Sequence, residues 1–249
     1  MEDRLKEDIL RESKKYNQKF LVHDEETTGL VTEWKDANNK TILTPKEAYK
    51  QIEKEGYKIK YFRVPVTDER APEPKDFDDL LNIIKDIDIK NTHLIFNCQM
   101  GRGRTTTGTI IASLVNNMRS NLVTSLKREI GDQNYLNGNF KMINKLLRVL
   151  ENANENKREV DNVIDYSSQM QNLRTSILEF KLKGEKNEKE LERSGFYLER
   201  YFLLIVFNEF LMEQMKKQKE DEKFNWETFS DWLSKREEIS NLMLNFDLE

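Results

Sequence analysis

Apolar positions change their period along this chain, and the changes mark its elements. Over Asp3 to Tyr16, Leu5, Ile9 and Leu10 recur at helical spacing and predict an amphipathic opening helix. Lys19 to His23 (KFLVH) reads as a short strand, and the polar stretches HDEETTG and WKDANNKT, rich in Gly and Asn, read as loops. Thr44-Pro45-Lys46-Glu47 combines an N-cap threonine, a first-turn proline and a glutamate three residues on, with Gly56 closing the periodic run. Tyr57 to Val64 alternates and is β-prone. VTDERAPEP follows as a polar loop stiffened by Pro65 and Pro72. Asp76 to Ile87 places Leu80, Leu81, Ile84 and Ile87 on one helical face, His93 to Asn97 reads as the third strand, and Thr105 to Arg119 as the helix after it.

Strands alternating with helices predict α/β units on a mostly parallel central sheet flanked by helices. Sites in such sheets lie at the carboxyl ends of strands, where Cys98 and Asp68 both fall. From Phe140 onward every apolar segment has the helical period, so the C-terminal half reads as all-helical. The join is placed at Gly131 to Gly138 (GDQNYLNG). It separates an α/β core over 1–130 from a helical extension over 139–249 packed on that core.

Composition supports the helical bias. The 249 residues are 35% charged with a mean hydropathy of −0.80, yet contain only 9 Gly and 4 Pro. A formal net charge of −4 argues against nucleic acid as a partner. The single cysteine leaves no internal disulfide framework, and two scattered histidines (His23 and His93) leave no His/Cys metal cluster, so neither metal nor cofactor is expected. A free thiol suits a reducing, cytoplasmic setting. MEDRLKEDIL lacks the features of a signal peptide, and the most apolar run, Tyr201 to Phe207, is too short to span a bilayer.

The chemistry concentrates in Leu94 to Gly108, LIFNCQMGRGRTTTG. A strand ending in a Gly-rich turn that feeds a helix N-terminus is an anion site, because backbone N–H groups converge there and the helix adds about half a positive charge. Cys98 and Arg104 stand six positions apart around Gln99, Met100, Gly101, Arg102 and Gly103. A helix terminus and nearby cations stabilise a thiolate, whose free pKa is about 8.5. Gly101 and Gly103 permit positive φ and close approach, and the planar fork of Arg104 matches two phosphate oxygens. Thr105 is placed to hydrogen-bond the sulfur. A dinucleotide loop fails because Thr106 occupies the third glycine position, and the nucleotide P-loop lacks its Lys-Ser/Thr pair.

Cleavage of a phosphate ester also needs a proton for the leaving alkoxide. Asp68, about thirty residues upstream in the proline-bracketed loop, is the leading general acid and Glu69 the second. Arg63, Arg70, Lys75 and Arg102 are secondary candidates for positive potential around the mouth. His23-Asp24-Glu25 is set aside as a triad because neighbours on a strand face opposite ways. Phe196, Tyr197, Tyr201, Phe202 and Phe207 read as helix core.

NCQMGRGRTTTG resembles the signature loop of cysteine-dependent phosphatases. More narrowly, the chain resembles the paladin group, related to tyrosine-phosphatase-like inositol phosphatases (phytases). RLKEDIL, VHDE, TPKEAY, YFRVPVTDERAPEPKDFD, LLRVLENANENKREVDNVID, NLRTSI and FYLERYFLLIVFNEFL carry the resemblance through nearly the whole chain. It implies a cysteine-phosphatase fold with Cys98 as nucleophile, Arg104 as phosphate clamp and Asp68 as general acid. It also implies a phosphorylated small molecule or lipid head group as partner, met at a membrane only through the substrate. Asn97 stands where many such enzymes have His, and Glu69 where the phytase-like loop reads TDH. Members of the group carry repeated units with sequence ahead of the RLKEDIL-like helix, so the chain resembles part of one unit, short of its first strands. Two other functions fit the same loop: a protein tyrosine or dual-specificity phosphatase, and a catalytically weak phosphate-binding interaction module.

Overall fold

The computed structural model describes residues 2–26, 29–120, 138–169 and 171–246. The chain forms two compact units, Met1–Arg63 and Val64–Glu249.

In the first unit, helix α1 (Glu2–Ser13) runs into a short 3₁₀ turn, followed by strands β1 (Lys19–Glu26) and β2 (Gly29–Asp36) and helix α2 (Pro45–Lys54). β1 and β2 form an antiparallel pair in register from Lys19 opposite Asp36 to Glu26 opposite Gly29. Much of HDEETTG and WKDANNKT, expected as loops, therefore belongs to this hairpin. The polar residues hide it: Leu21, Val31 and Trp34 stay exposed, so neither face demands an apolar alternation. α2 begins as its sequence requires. Thr44 Oγ1 accepts from the Glu47 N–H at 3.2 Å, and Glu47 accepts from the Thr44 N–H at 2.8 Å. Thr44→Ala is expected to cost about 1 kcal/mol, read as a lower unfolding temperature by circular dichroism.

The second unit is helical. It comprises α3 (Pro74–Ile84), α4 (Gly103–Ser120), α5 (Lys141–Leu146), α6 (Ala153–Tyr166), α7 (Leu173–Gly184), α8 (Glu188–Glu220), α9 (Phe229–Ser234) and α10 (Glu237–Leu244). α8 is 33 residues long, about 50 Å at 1.5 Å per residue. It is buried from Tyr201 to Leu211 and packs against α4, α5, α6, α7 and α9. Phe77 of α3 meets Phe207 of α8 and Phe229 of α9 with ring centroids 5.0 and 5.2 Å apart. Helices from both sides of the expected join thus share one core. The join itself, apart from Gly138, lies outside the described residues.

The mostly parallel central sheet is a correction. Among the described residues the sheet is the antiparallel β1–β2 pair, and neither 57–64 nor 93–97 enters a ladder. The alternation at 93–98 is present: Leu94, Phe96 and Cys98 are half-buried while His93, Ile95 and Asn97 are exposed. It arises because Leu94 and Phe96 pack on the helical core. Such a pattern records which side chains are buried, whereas a strand also needs a neighbour for its N–H and C=O groups. The chain is mixed α/β and predominantly helical. Among the described residues no helix is long and apolar enough to cross a membrane.

Candidate active site

Phe96 sets the start of the cysteine loop against the helix that ends it. A Cβ on Gly108 of α4 would lie 2.7 Å from the Phe96 ring, so the absence of a side chain lets helix and extended segment meet. Between them the loop turns at Gly101, whose φ of +69° favours glycine. Gly103 serves differently. It lacks a positive φ, and a Cβ there would stand 3.1 Å from Arg200 Nη1 and 3.3 Å from the Tyr197 hydroxyl. Of the two glycines expected to bend the loop, one bends it and the other admits a neighbour.

The Thr105 hydroxyl accepts from the Cys98 N–H at 2.8 Å, closing the loop across seven residues. Burial pushes the Cys98 thiol up. Hydrogen bonds from the Thr105 hydroxyl and from the backbone N–H groups of Thr105, Met100 and Arg102 outweigh it and lower the pKa to about 7. The backbone donors therefore converge on the sulfur as an anion nest does. α4 is continued by its threonines: Thr107 donates to the Gly103 carbonyl at 2.8 Å and Thr109 to that of Thr105 at 3.0 Å.

Arg104 Nη2 lies 3.0 Å from Asp68 Oδ1. The Arg104 Nε is buried with no hydrogen-bond partner among the described residues. Asp68 is largely exposed, so this ion pair is screened and contributes little to stability. The structure brings together Cys98, Thr105, Arg104 and Asp68, with Gln99, Met100 and Arg102 exposed at the rim.

The secondary candidates separate. Arg63 belongs to the first unit, where it bonds the Glu2 carboxylate that also accepts from the Tyr61 hydroxyl at 2.7 Å. Lys75 stands exposed in the first turn of α3. Glu69 and Arg70 turn toward α8: Glu69 bonds Arg193 at 2.5 Å, and Arg70 lies 3.9 Å from the Phe196 ring and 3.8 Å from Glu192. Glu69 holds a left-handed backbone, φ +61°, unusual for a residue of its type. His23 pairs across the hairpin with Thr32 at 2.9 Å. Beneath the loop, Gln171, Tyr197 and Arg200 line its underside with Gly103. The sequence reading assigned none of the three to the site. Arg200, beside Glu199 in the mostly apolar run FYLERYFLL, stands out in the sequence, but nothing there names the loop it meets.

Comparison with known proteins places these residues in a family. A PTP-like phytase model, described as "Inositol hexakisphosphate", matches residues 1–116. "Paladin" of Gallus gallus is 31% identical over 233 residues, 87% of this chain and 26% of that protein. "Paladin" of Xenopus tropicalis is 33% identical over 193 residues, 71% of this chain and 22% of that protein. "Effector protein hopD2" of Pseudomonas syringae pv. tomato is 33% identical over 75 residues, 30% of this chain and 16% of that protein. The chain spans about a quarter of the length of the paladins it matches. No solved structure matches.

Proposed function

Because the chain belongs to the paladin-like, phytase-like family, we propose that it is a cysteine-dependent phosphatase acting on phosphate monoesters of inositol phosphates or phosphoinositides. The observation that carries this reading is a thiol with a pKa of about 7 in the same loop as an arginine whose buried Nε has no partner among the described residues. The Cys98 thiolate attacks phosphorus, the bond from phosphorus to the leaving oxygen breaks, and Asp68 in its acid form gives that oxygen a proton. Water then hydrolyses the cysteinyl phosphate, with Asp68 taking up a proton and the thiolate released. The backbone N–H groups of the loop and the fork of Arg104 hold the three equatorial oxygens. Arg102, exposed on the rim, favours a head group carrying several phosphates over a phosphoprotein. A cytoplasmic setting fits a reactive free thiol.

The test is phosphate release from a panel of inositol polyphosphates, phosphoinositides and phosphotyrosine peptides. Preferred turnover of inositol substrates is expected, and preferred turnover of peptides would transfer the assignment to a protein phosphatase. Arg104→Lys keeps the charge and loses the fork, so turnover is expected to fall by at least about a hundredfold. The unfolding temperature should scarcely change. Equal losses of stability and activity would count against a dedicated phosphate clamp.

The Asp68–Arg104 pair favours a second reading, a phosphate-binding module with weak turnover, because Asp68 is engaged by Arg104 rather than turned to a leaving oxygen. Oxyanion binding without phosphate release from any member of the panel, across pH, would select it.

A further inference from the structure

Among the described residues of the second unit, two arginines are almost completely buried, and their surroundings differ. Arg174, 1% exposed, is matched by carboxylates: its Nη1 lies 3.0 Å from Asp161, and Asp165 binds its Nη2. Arg200, 2% exposed, has no carboxylate partner among the described residues. Its Nη2 donates to the Arg70 carbonyl at 2.8 Å, its guanidinium lies 4.5 Å from the Tyr197 ring centroid, and its Nε, like that of Arg174, has no hydrogen-bond partner among the described residues. Burial pushes its pKa down, the Tyr197 hydroxyl and then Asp68 draw it back up, and Arg104 opposes them. A buried cation with no carboxylate in contact is unfavourable, and Arg174 shows how this fold neutralises an arginine that serves packing.

The position of Arg200 explains the difference. Its Nη1 lies directly under Gly103, close enough that a Cβ there would stand 3.1 Å away. Its bond to the Arg70 carbonyl holds the loop that carries Asp68, which Glu69 and Arg70 also fasten to α8 through Arg193 and Phe196.

We propose that Arg200 is a positioning residue for phosphoryl transfer. It joins the Asp68 loop and the Cys98 loop to one support and supplies, from beneath Gly103, a buried positive charge that an oxyanion seated in the loop completes. This role rests on the phosphatase reading, but binding tests it without turnover.

The experiment is titration of the whole chain with tungstate by calorimetry, using wild type, Arg200→Lys, Arg200→Met and Arg200→Gln, with thermal unfolding of each. Glutamine retains a donor for the Arg70 carbonyl should methionine fail to fold. A lost unit charge this near the anion is expected to weaken tungstate binding about tenfold or more in the neutral variants. Arg200→Lys, which keeps the charge but loses the guanidinium stacked on Tyr197, should bind tungstate more tightly than either neutral variant. Folded neutral variants that bind like wild type would overturn the proposal. So would a loss in Arg200→Lys equal to theirs, which would place the effect in packing, or failure of both neutral variants to fold while lysine folds. Absence of tungstate binding by wild type would instead overturn the phosphate site itself.

Discussion

Cys98→Ser is expected to reduce phosphate release to background while leaving oxyanion binding within about an order of magnitude, because loop donors and Arg104 hold the anion and only the sulfur forms the bond. The basis is ionisation. With a pKa of about 7, half of the Cys98 population is thiolate at that pH, whereas a serine hydroxyl stays protonated throughout. The sign is testable before any substrate is known. Alkylation of Cys98 by iodoacetamide requires the thiolate, so its rate should be half-maximal near pH 7 and fall about tenfold per unit below that. A free cysteine would show its midpoint at about 8.5. A midpoint at the free value would remove the electrostatic case for a nucleophile in this loop.

Asp68→Asn is expected to move binding and turnover in opposite directions. Arg104 is held by the Asp68 carboxylate at 3.0 Å, the position an incoming phosphate must share. Removing that carboxylate frees the fork and abolishes its repulsion of a dianion, but Asp68 is 68% exposed, so the gain is modest: roughly two- to fivefold tighter tungstate binding. Turnover loses a proton donor, about a hundred- to ten-thousandfold for an alkyl phosphate whose leaving oxygen needs protonation. An aryl phosphate with a stable phenolate should lose far less. Equal losses on both substrates would remove Asp68 from the role of general acid.

What the sequence disclosed follows from how far each interaction reaches along the chain. Cys98, Gly101, Arg104 and Thr105 sit within eight residues, and the Cys98–Thr105 bond and positive φ at Gly101 are local geometry. Asp68 was reachable through turn and strand logic, although its contact with Arg104 spans thirty-six positions. Arg200 and Tyr197 were not legible as site residues, because nothing in FYLERYFLL says which loop lies over that helix face, and Gln171 lies in a polar connection with no motif of its own. The sheet failed for the converse reason. Alternation in LIFNC is real and is used for burial on helices, while pairing depends on a distant partner that no local pattern names. Of the β1–β2 hairpin only the KFLVH start of β1 was legible, because the rest has little apolar surface to hide.

The left-handed turn at Glu69 gives the loop sequence a different meaning. Histidine, the residue of the phytase-like TDH pattern, is enriched at positive φ, as asparagine and aspartate are; glutamate has no such preference. Its conformation here is held from outside, by the bond to Arg193. Glu69 thus takes a backbone shape that its own side-chain type does not favour. A replacement at 69 must then suit both the backbone handedness and Arg193. A chain that drifted to a β-branched side chain at 69 would have to rebuild the turn, whereas one that drifted to glycine could release Arg193 altogether.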